Sequence, residues 1–350
     1  MQNIYIDNLK PGMIIQHDIY STKNQLIICK DTIATENIIR RLKYFDIKII
    51  PIYDEDEIVI TKEETFQLFK KNYTNLEIEV DDFLNKIIRK EYSKKQMEDI
   101  VNSAFELYNT QSSAMIILKM LQQLKNNDII FAHSLNVGMI GMILAKWCNK
   151  SEDEMQLILQ AGIFHDVGKM LMPNALLNKA TNLTKNEFAE LKSHTVEGYN
   201  LLKSLEIDER ITNVALLHHE RIDGSGYPLQ LKNAQINKFS NISKIIAIAD
   251  SYDAMTSKRL YRDAKCPFSV FTIFEQEGIS IYDPEYLITF LKNAVNAYVG
   301  DNVLLSDGRK GKIILINNTT LGRPIIQIDD EYIDLAKYKE SELSIKEILF

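Results

Sequence analysis

The stretch from His133 to Arg262 constrains this chain more than any other. It holds all but one of the six histidines. In order come His133, His165-Asp166 with Lys169, His194 and His218-His219-Glu220, then the loop Asp223-Gly224-Ser225-Gly226-Tyr227-Pro228, then Asp250 and Asp253. Apolar segments with helical spacing run between these points, so several helices are expected to deliver the polar residues into one interior. A helical core with satisfied histidines is the bland alternative, and it needs this whole grouping to be accidental.

Imidazole with carboxylate suits borderline divalent metals such as Fe, Mn, Zn or Ni, and the lack of thiolates in the group argues against a structural zinc site. One catalytic metal takes about three protein ligands. The stretch offers His133, His165, Asp166, His194, His218, His219 and Asp250, which suggests two ions. Neighbouring helical residues diverge by about 100°, so the pairs His165-Asp166 and His218-His219 suit helix ends, where adjacent side chains can address two ions. Asp166 has two oxygens and can bridge them. Two metals about 3.5–4 Å apart clamp the attacking and leaving oxygens of a phosphoryl displacement. A hydroxide bridging them would be the nucleophile near neutral pH, and no Ser-His or Cys-His arrangement offers a rival.

Cations for the rest of a phosphate lie nearby. Lys169 is four residues after His165 and is expected on the same side of a helix. Arg259 and Arg262, three apart, can grip phosphate oxygens or guanine edges; a solvated basic helix end is the alternative, above all for Lys258. Gly224 and Gly226 permit positive-φ turns that let backbone approach a ligand. Tyr227 can stack on a base, or equally be a packed loop tyrosine. His17, outside the stretch, is expected to be a surface or satisfied core residue.

Composition narrows the class. With 350 residues, 45% apolar and 25% charged, the chain is long enough for two or three globular domains. A formal charge of -7 argues against a general nucleic-acid binder, which needs clustered excess cations. The cysteines Cys29, Cys148 and Cys266 lie far apart without CxxC spacing, so neither a zinc ribbon nor a disulfide framework is indicated. No apolar run approaches the roughly 18–20 residues that cross a bilayer, and Met1-Gln2-Asn3 does not open a signal peptide. A cytoplasmic protein, not bound to membrane, is expected.

The expected fold class is mainly α, in four parts. Residues 1–60 read as a small α/β unit, with strands near 3–6, 25–29 and 47–52 and one amphipathic helix after Thr35. Residues 61–94 read as a helical linker, and 95–298 as an all-helical catalytic domain with helices near 134–147, 154–165, 184–203, 208–219, 241–257 and 284–298. Residues 299–350 read as a small antiparallel sheet or barrel, with strands near 303–305, 312–316, 324–328 and 332–335. If the chain has protein partners or assembles with itself, the N-terminal domain is where that contact is expected.

Taken in order, these residues resemble the HD-GYP family of metal-dependent phosphohydrolases. The resemblance runs from His133-Ser134 through His165-Asp166-Val167-Gly168-Lys169, Ser193-His194 and His218-His219-Glu220. It continues through Asp223-Gly224-Ser225-Gly226-Tyr227-Pro228 to Asp250-Ser251-Tyr252-Asp253-Ala254-Met255-Thr256. Leu9-Lys10-Pro11-Gly12-Met13 and the β-rich tail look like parts that accompany this domain in some members. The resemblance implies a helical HD-type bundle with a di- or trinuclear centre, usually iron or manganese, that hydrolyses the bacterial messenger cyclic di-GMP to pGpG or onward to GMP. It carries the metal ligands to His133, His165, Asp166, His194, His218, His219 and Asp250, with Asp166 and Lys169 catalytic. Substrate contacts carry to Lys169, Asp253, Arg259, Arg262 and Tyr227. Members with three metals have an acid four residues before the first histidine. Here that residue is Ile129, so two ions are expected, with pGpG favoured as product. The alternatives are hydrolysis of another cyclic dinucleotide such as cyclic GMP-AMP, or a module that binds the messenger without turnover.

Overall fold

Element boundaries follow the changes in side-chain periodicity along the chain. A computed structural model describes residues 2–10, 13, 15–20, 26–28, 34, 36–52, 62–109, 114–124, 130–179, 181, 183–231, 240–258 and 263–349. First come β1 (Gln2–Tyr5), β2 (Ile19–Tyr20), β3 (Leu26–Ile28), α1 (Glu36–Tyr44) and β4 (Ile49–Ile52). They form the expected small α/β unit, with β1 antiparallel to β4 and β2 to β3. Leu9, Ile15, Ile19, Leu42, Ile50 and Ile52 are among the residues of its own apolar cluster. His17 is exposed.

The main body is helical. It comprises α2 (Lys62–Ile88), α3 (Lys94–Asn109), α4 (Ala114–Leu124), α5 (Ile130–Trp147), α6 (Glu152–Phe164), α7 (Asn174–Leu177), α8 (Lys185–Lys192) and α9 (His194–Ser204). It continues with α10 (Glu209–Leu217), α11 (Asn241–Thr256), α12 (Pro267–Ile273), a π turn at Phe274–Gly278, α13 (Ile279–Ile281) and α14 (Pro284–Asn296). The α12–α13 stretch carried no helix expectation. The segment 61–94, expected as a linker, buries Phe69, Tyr73, Leu76, Val80, Phe83 and Ile87 of α2 in the main core. These residues recur every three or four positions, and a helix with such a stripe packs against its neighbours rather than spanning a gap.

Helix α5 sits at the centre. Val137, Met139, Ile140, Met142, Ile143 and Leu144 are all fully buried, so the helix has no solvent face over this length. α6 starts from a capping box in which Ser151 accepts from the Glu154 backbone N–H and Glu154 reaches back to the Ser151 N–H. It crosses α5 where two glycines meet: a Cβ built on Gly162 would lie 2.4 Å from the Gly138 Cα. Only bare backbone fits that approach, and it brings His133 on α5 beside His165 at the end of α6. The helix expected over 184–203 is broken in two at Ser193, and a second capping box, Thr184 with Glu187, starts α8.

The tail forms one antiparallel sheet from β5 (Asn302–Leu305), β6 (Lys310–Leu315), β7 (Ile325–Ile328), β8 (Glu331–Asp334) and β9 (Ile345–Leu349), in the order β8-β7-β6-β5-β9. Val303, Leu305, Ile313, Ile326 and Ile348 turn inward to the main core. Strand β9 escapes a period-two reading. Lys346 and Glu347 are both exposed, and its pairing with β5 shifts register between Leu304 and Leu305. Glu275, in the π turn, accepts the backbone N–H groups of Leu321 at 2.5 Å and Gly322 at 2.8 Å, tying the sheet to the helices. Among the described residues, no helix is long and apolar enough to cross a membrane.

Replacing Gly162 with alanine should destabilise the protein by about 2 kcal/mol or more, because the added methyl meets backbone that cannot rotate away. Thermal unfolding reads this directly; an unchanged midpoint would refute the close α5–α6 contact.

Candidate metal centre

Helix ends build the site. α6 stops at Phe164, His165 is its C-cap, and Asp166 follows. α10 stops at Leu217, with His218 as C-cap and His219 next. Both adjacent pairs therefore stand where the chain leaves a helix, as expected. His194 is the first residue of α9. That helix is drawn against the 3-10 turn Val167–Leu171 so closely that a Cβ on Gly168 would fall 2.0 Å from the His194 carbonyl oxygen. His133 comes from α5, and Asp250 and Asp253 from α11.

These side chains converge on Asp166, which is 1% exposed. Its Oδ2 lies 3.5 Å from His133 Nε2 and 3.3 Å from His165 Nε2. Its Oδ1 lies 3.2 Å from His194 Nε2 and 3.5 Å from His218 Nε2. Each carboxylate oxygen thus faces a different pair of imidazoles. The donor atoms fall into two compact sets that share Asp166: one with His133 and His165, the other with His194, His218 and His219. Asp250 flanks both, with Oδ1 3.2 Å from His133 Nε2 and Oδ2 3.7 Å from His219 Nδ1.

The remote ring nitrogens settle the tautomers. Nδ1 of His165 meets the Gly162 carbonyl at 2.6 Å, that of His194 the Leu191 carbonyl at 2.6 Å, and that of His218 the Val214 carbonyl at 3.0 Å. Carbonyl oxygen only accepts, so each Nδ1 carries the proton and each Nε2 presents a lone pair inward. His133 Nδ1 is held at 2.7 Å by Asp253 Oδ2. The consequence is an accumulation of lone pairs. His194 Nε2 and His218 Nε2 stand 3.5 Å apart, and neither has a hydrogen to give. His165 Nε2 and Asp166 Oδ1 are buried without a hydrogen-bond partner. Such a set of inward lone pairs fits divalent cations.

Protonation agrees. Burial works against ionisation of Asp166, yet the Lys169 ammonium holds its carboxyl well below the usual range. Asp250 is likewise held well below the usual carboxylate range despite its burial, with His133 Nε2 3.2 Å from its Oδ1. Burial pushes His218 down to about 4, against Asp166, and also holds His219 well below its usual value, with His218 beside it. Anionic carboxylates and neutral imidazoles are the ligating forms.

Several expected contacts are relocated. Asp253, expected to touch substrate, is 1% exposed and turned onto His133. It orients a candidate ligand instead. Lys169 does not share a helix face with His165, because α6 has already ended; its ammonium reaches back to Asp166 Oδ2. Gly224 has φ 77° as expected, but Gly226 serves by close approach: a Cβ there would meet the His219 carbonyl oxygen at 2.4 Å. Tyr227 packs at a tilt against His219, with centroids 4.6 Å apart, and burial raises its hydroxyl pKa. Arg259 and Arg262 lie outside the described residues, as does Ile129. Two residues carried no expectation as parts of the site. Glu220 is buried and accepts the N–H groups of Leu229, Gln230 and Leu231 at 2.5, 3.0 and 3.0 Å, anchoring the loop after Tyr227. Lys192 sits over the Tyr227 ring at 4.9 Å.

A family model described as an HD domain matches residues 95–286. A cyclic di-GMP phosphodiesterase of Pseudomonas aeruginosa is 32% identical over 215 residues, covering 61% of this chain and 50% of that protein. A cyclic di-GMP phosphodiesterase of Thermotoga maritima is 31% identical over 261 residues, covering 70% of each. The 3'3'-cGAMP-specific phosphodiesterase 3 of Vibrio cholerae is 30% identical over 164 residues, covering 47% of this chain and 35% of that one. The chain thus spans half the length of the first of these relatives and more of the second. Among solved structures, an HDG"Y"P protein from Bdellovibrio bacteriovorus aligns with TM-score 0.55 at 14% identity, over 83% of this chain and 97% of that one, a likeness of fold.

Two outcomes are expected. Asp253→Asn keeps the shape but weakens the acceptor that fixes His133, so metal affinity should fall on the order of 10–100-fold in a metal titration. Metal-free protein should lose stability as pH falls from 6.5 toward about 4, since the unfolded chain protonates His218 in that window and the folded chain does not. The slope from this group is about 1.4 kcal/mol per pH unit. Denaturant unfolding across that window, compared with His218→Asn, isolates it.

Proposed function

The chain belongs to the HD domain family, and from that footing we propose that it is a metal-dependent phosphodiesterase of the HD-GYP branch that opens cyclic di-GMP. The observation that carries this reading is Asp166, whose two oxygens each face a separate set of imidazole lone pairs. In this reading His133, His165, His194, His218, His219 and Asp250 complete a dinuclear site, with iron or manganese favoured by mixed nitrogen and oxygen donors. When bound, the two ions supply an activated water and neutralise charge on the phosphoryl group.

The rest falls to the chain. Asp166 bridges the two donor sets and stays ionised in a buried site. Asp253 fixes the His133 tautomer, as Gly162, Leu191 and Val214 carbonyls do for His165, His194 and His218. Lys169, with Arg259 and Arg262 from the sequence reading, offsets negative charge as it develops on the phosphoryl oxygens. Tyr227 and the Glu220-anchored loop close one wall. Ile129 cannot ligate a metal, so a third ion lacks its acid and the product is pGpG rather than GMP. We assign residues 1–60 to the N-terminal α/β domain, 95–298 to the catalytic domain and 299–350 to the β-rich segment, with the 61–94 stretch packed on the catalytic helices. Cys148 and Cys266 are free thiols, which suits a cytoplasmic setting. The likeness to a cGAMP-specific relative makes 3'3'-cGAMP the second substrate to test.

The test is anaerobic purification, metal analysis, and incubation with cyclic di-GMP while products are separated over time. About two equivalents of iron or manganese are expected, with pGpG accumulating. Asp166→Asn should lower kcat by on the order of a thousandfold. Full metal occupancy without turnover of either dinucleotide would sink the enzyme reading and leave a messenger-binding module; rapid GMP without pGpG would sink the product assignment.

A further inference from the structure

Lys192 ends α8 and His194 begins α9. In one unbroken helix, residues two apart point about 200° away from each other. The interruption at Ser193 lets both meet one ring: Lys192 Nζ lies 4.9 Å from the centre of Tyr227, and the His194 ring 6.4 Å from it. The same tyrosine packs at a tilt against His219. Phe188, one turn before Lys192, also lies under its ammonium, at 4.6 Å, and is 46% exposed. The Ser193 hydroxyl donates to the Glu190 carbonyl and the Thr195 hydroxyl to the Lys192 carbonyl, so this joint is fastened on both sides.

Charge pairing separates Lys192 from its neighbours. Lys169 is tied to Asp166 and Lys179 to Glu187. Among the described residues Lys192 has no carboxylate partner, and two aromatic faces hold it instead. Such faces attract a cation but leave its strong N–H donors available. A cyclic dinucleotide carries two phosphodiester groups, each with one negative charge. Only one can react at the metals; the other lies across the ring and keeps its charge.

Resting on the proposed function, we propose that Lys192 receives the second, non-reacting phosphodiester of the cyclic dinucleotide. The Phe188 and Tyr227 rings hold the ammonium at the rim of the site, one ring away from the candidate ligands His194 and His219. Recognition here is of phosphate and not of base, so it serves cyclic di-GMP and 3'3'-cGAMP alike.

Steady-state kinetics of the metal-loaded protein with both dinucleotides, for wild type, Lys192→Gln and Lys192→Arg, test the assignment. Lys192→Gln should raise KM on the order of tenfold for each dinucleotide that wild type hydrolyses. It should leave kcat little changed, retain the metal, and flatten the dependence of KM on ionic strength. Lys192→Arg should restore most of the lost affinity. An unchanged KM, a loss confined to kcat, or a loss of metal overturns the role of Lys192 while the proposed function stands. Wild-type protein that hydrolyses neither dinucleotide overturns both.

Discussion

Lone pairs crowded into a dry space repel one another, and at the centre of this protein the Lys169 ammonium reaches one Asp166 oxygen while the imidazole nitrogens around it are left facing one another. Three of the histidines give their Nδ1 protons to helix carbonyls and a fourth is held by Asp253. The inward nitrogens therefore have nothing to offer Asp166 or each other. The helix ends that supply those carbonyls also supply the ligands, so the protonation pattern is a by-product of where α6, α8 and α10 stop. The fold imposes an electrostatic demand and leaves a cation to meet it.

Much of this was legible in the sequence because the site is built from adjacent pairs. His165-Asp166 and His218-His219 announce helix ends by needing both side chains to point inward, and the α/β unit, the helical body and the β-rich tail are each marked by a change of period. What escaped has physical causes. The resemblance marked Asp253 as a substrate contact, and no spacing on α11 could show that its carboxylate also turns onto His133. The break at Ser193 carries neither glycine nor proline, so 184–203 read as one helix. The burial of α2 was hidden by its charged faces, and β9 by a register shift that disrupts alternation.

The parts expected to be separate are also more joined than their compositions imply. The Tyr73 hydroxyl of α2 donates to Asn136 Oδ1 at 2.6 Å, one turn beyond His133 on α5. On the opposite flank, Glu275 takes two amides from the tail, and the inward face of the sheet completes the helical core. The bundle is thus buttressed by elements on both sides of it in the sequence. That suits a site in which displacements near 1 Å separate ligation from mere proximity.

Glu220 adds a last consequence. It directly follows His219, and its carboxylate takes three consecutive amides of the loop beyond Tyr227. One residue position thereby makes the ligand and the wall of the cleft a single mechanical unit. A loop held this way has surrendered its freedom when the chain folds, so no ordering entropy is left to oppose an incoming molecule. Selectivity at such a wall comes from shape already in place, and substitutions among the loop's outward residues can vary the rim without loosening the candidate ligand His219 beneath it.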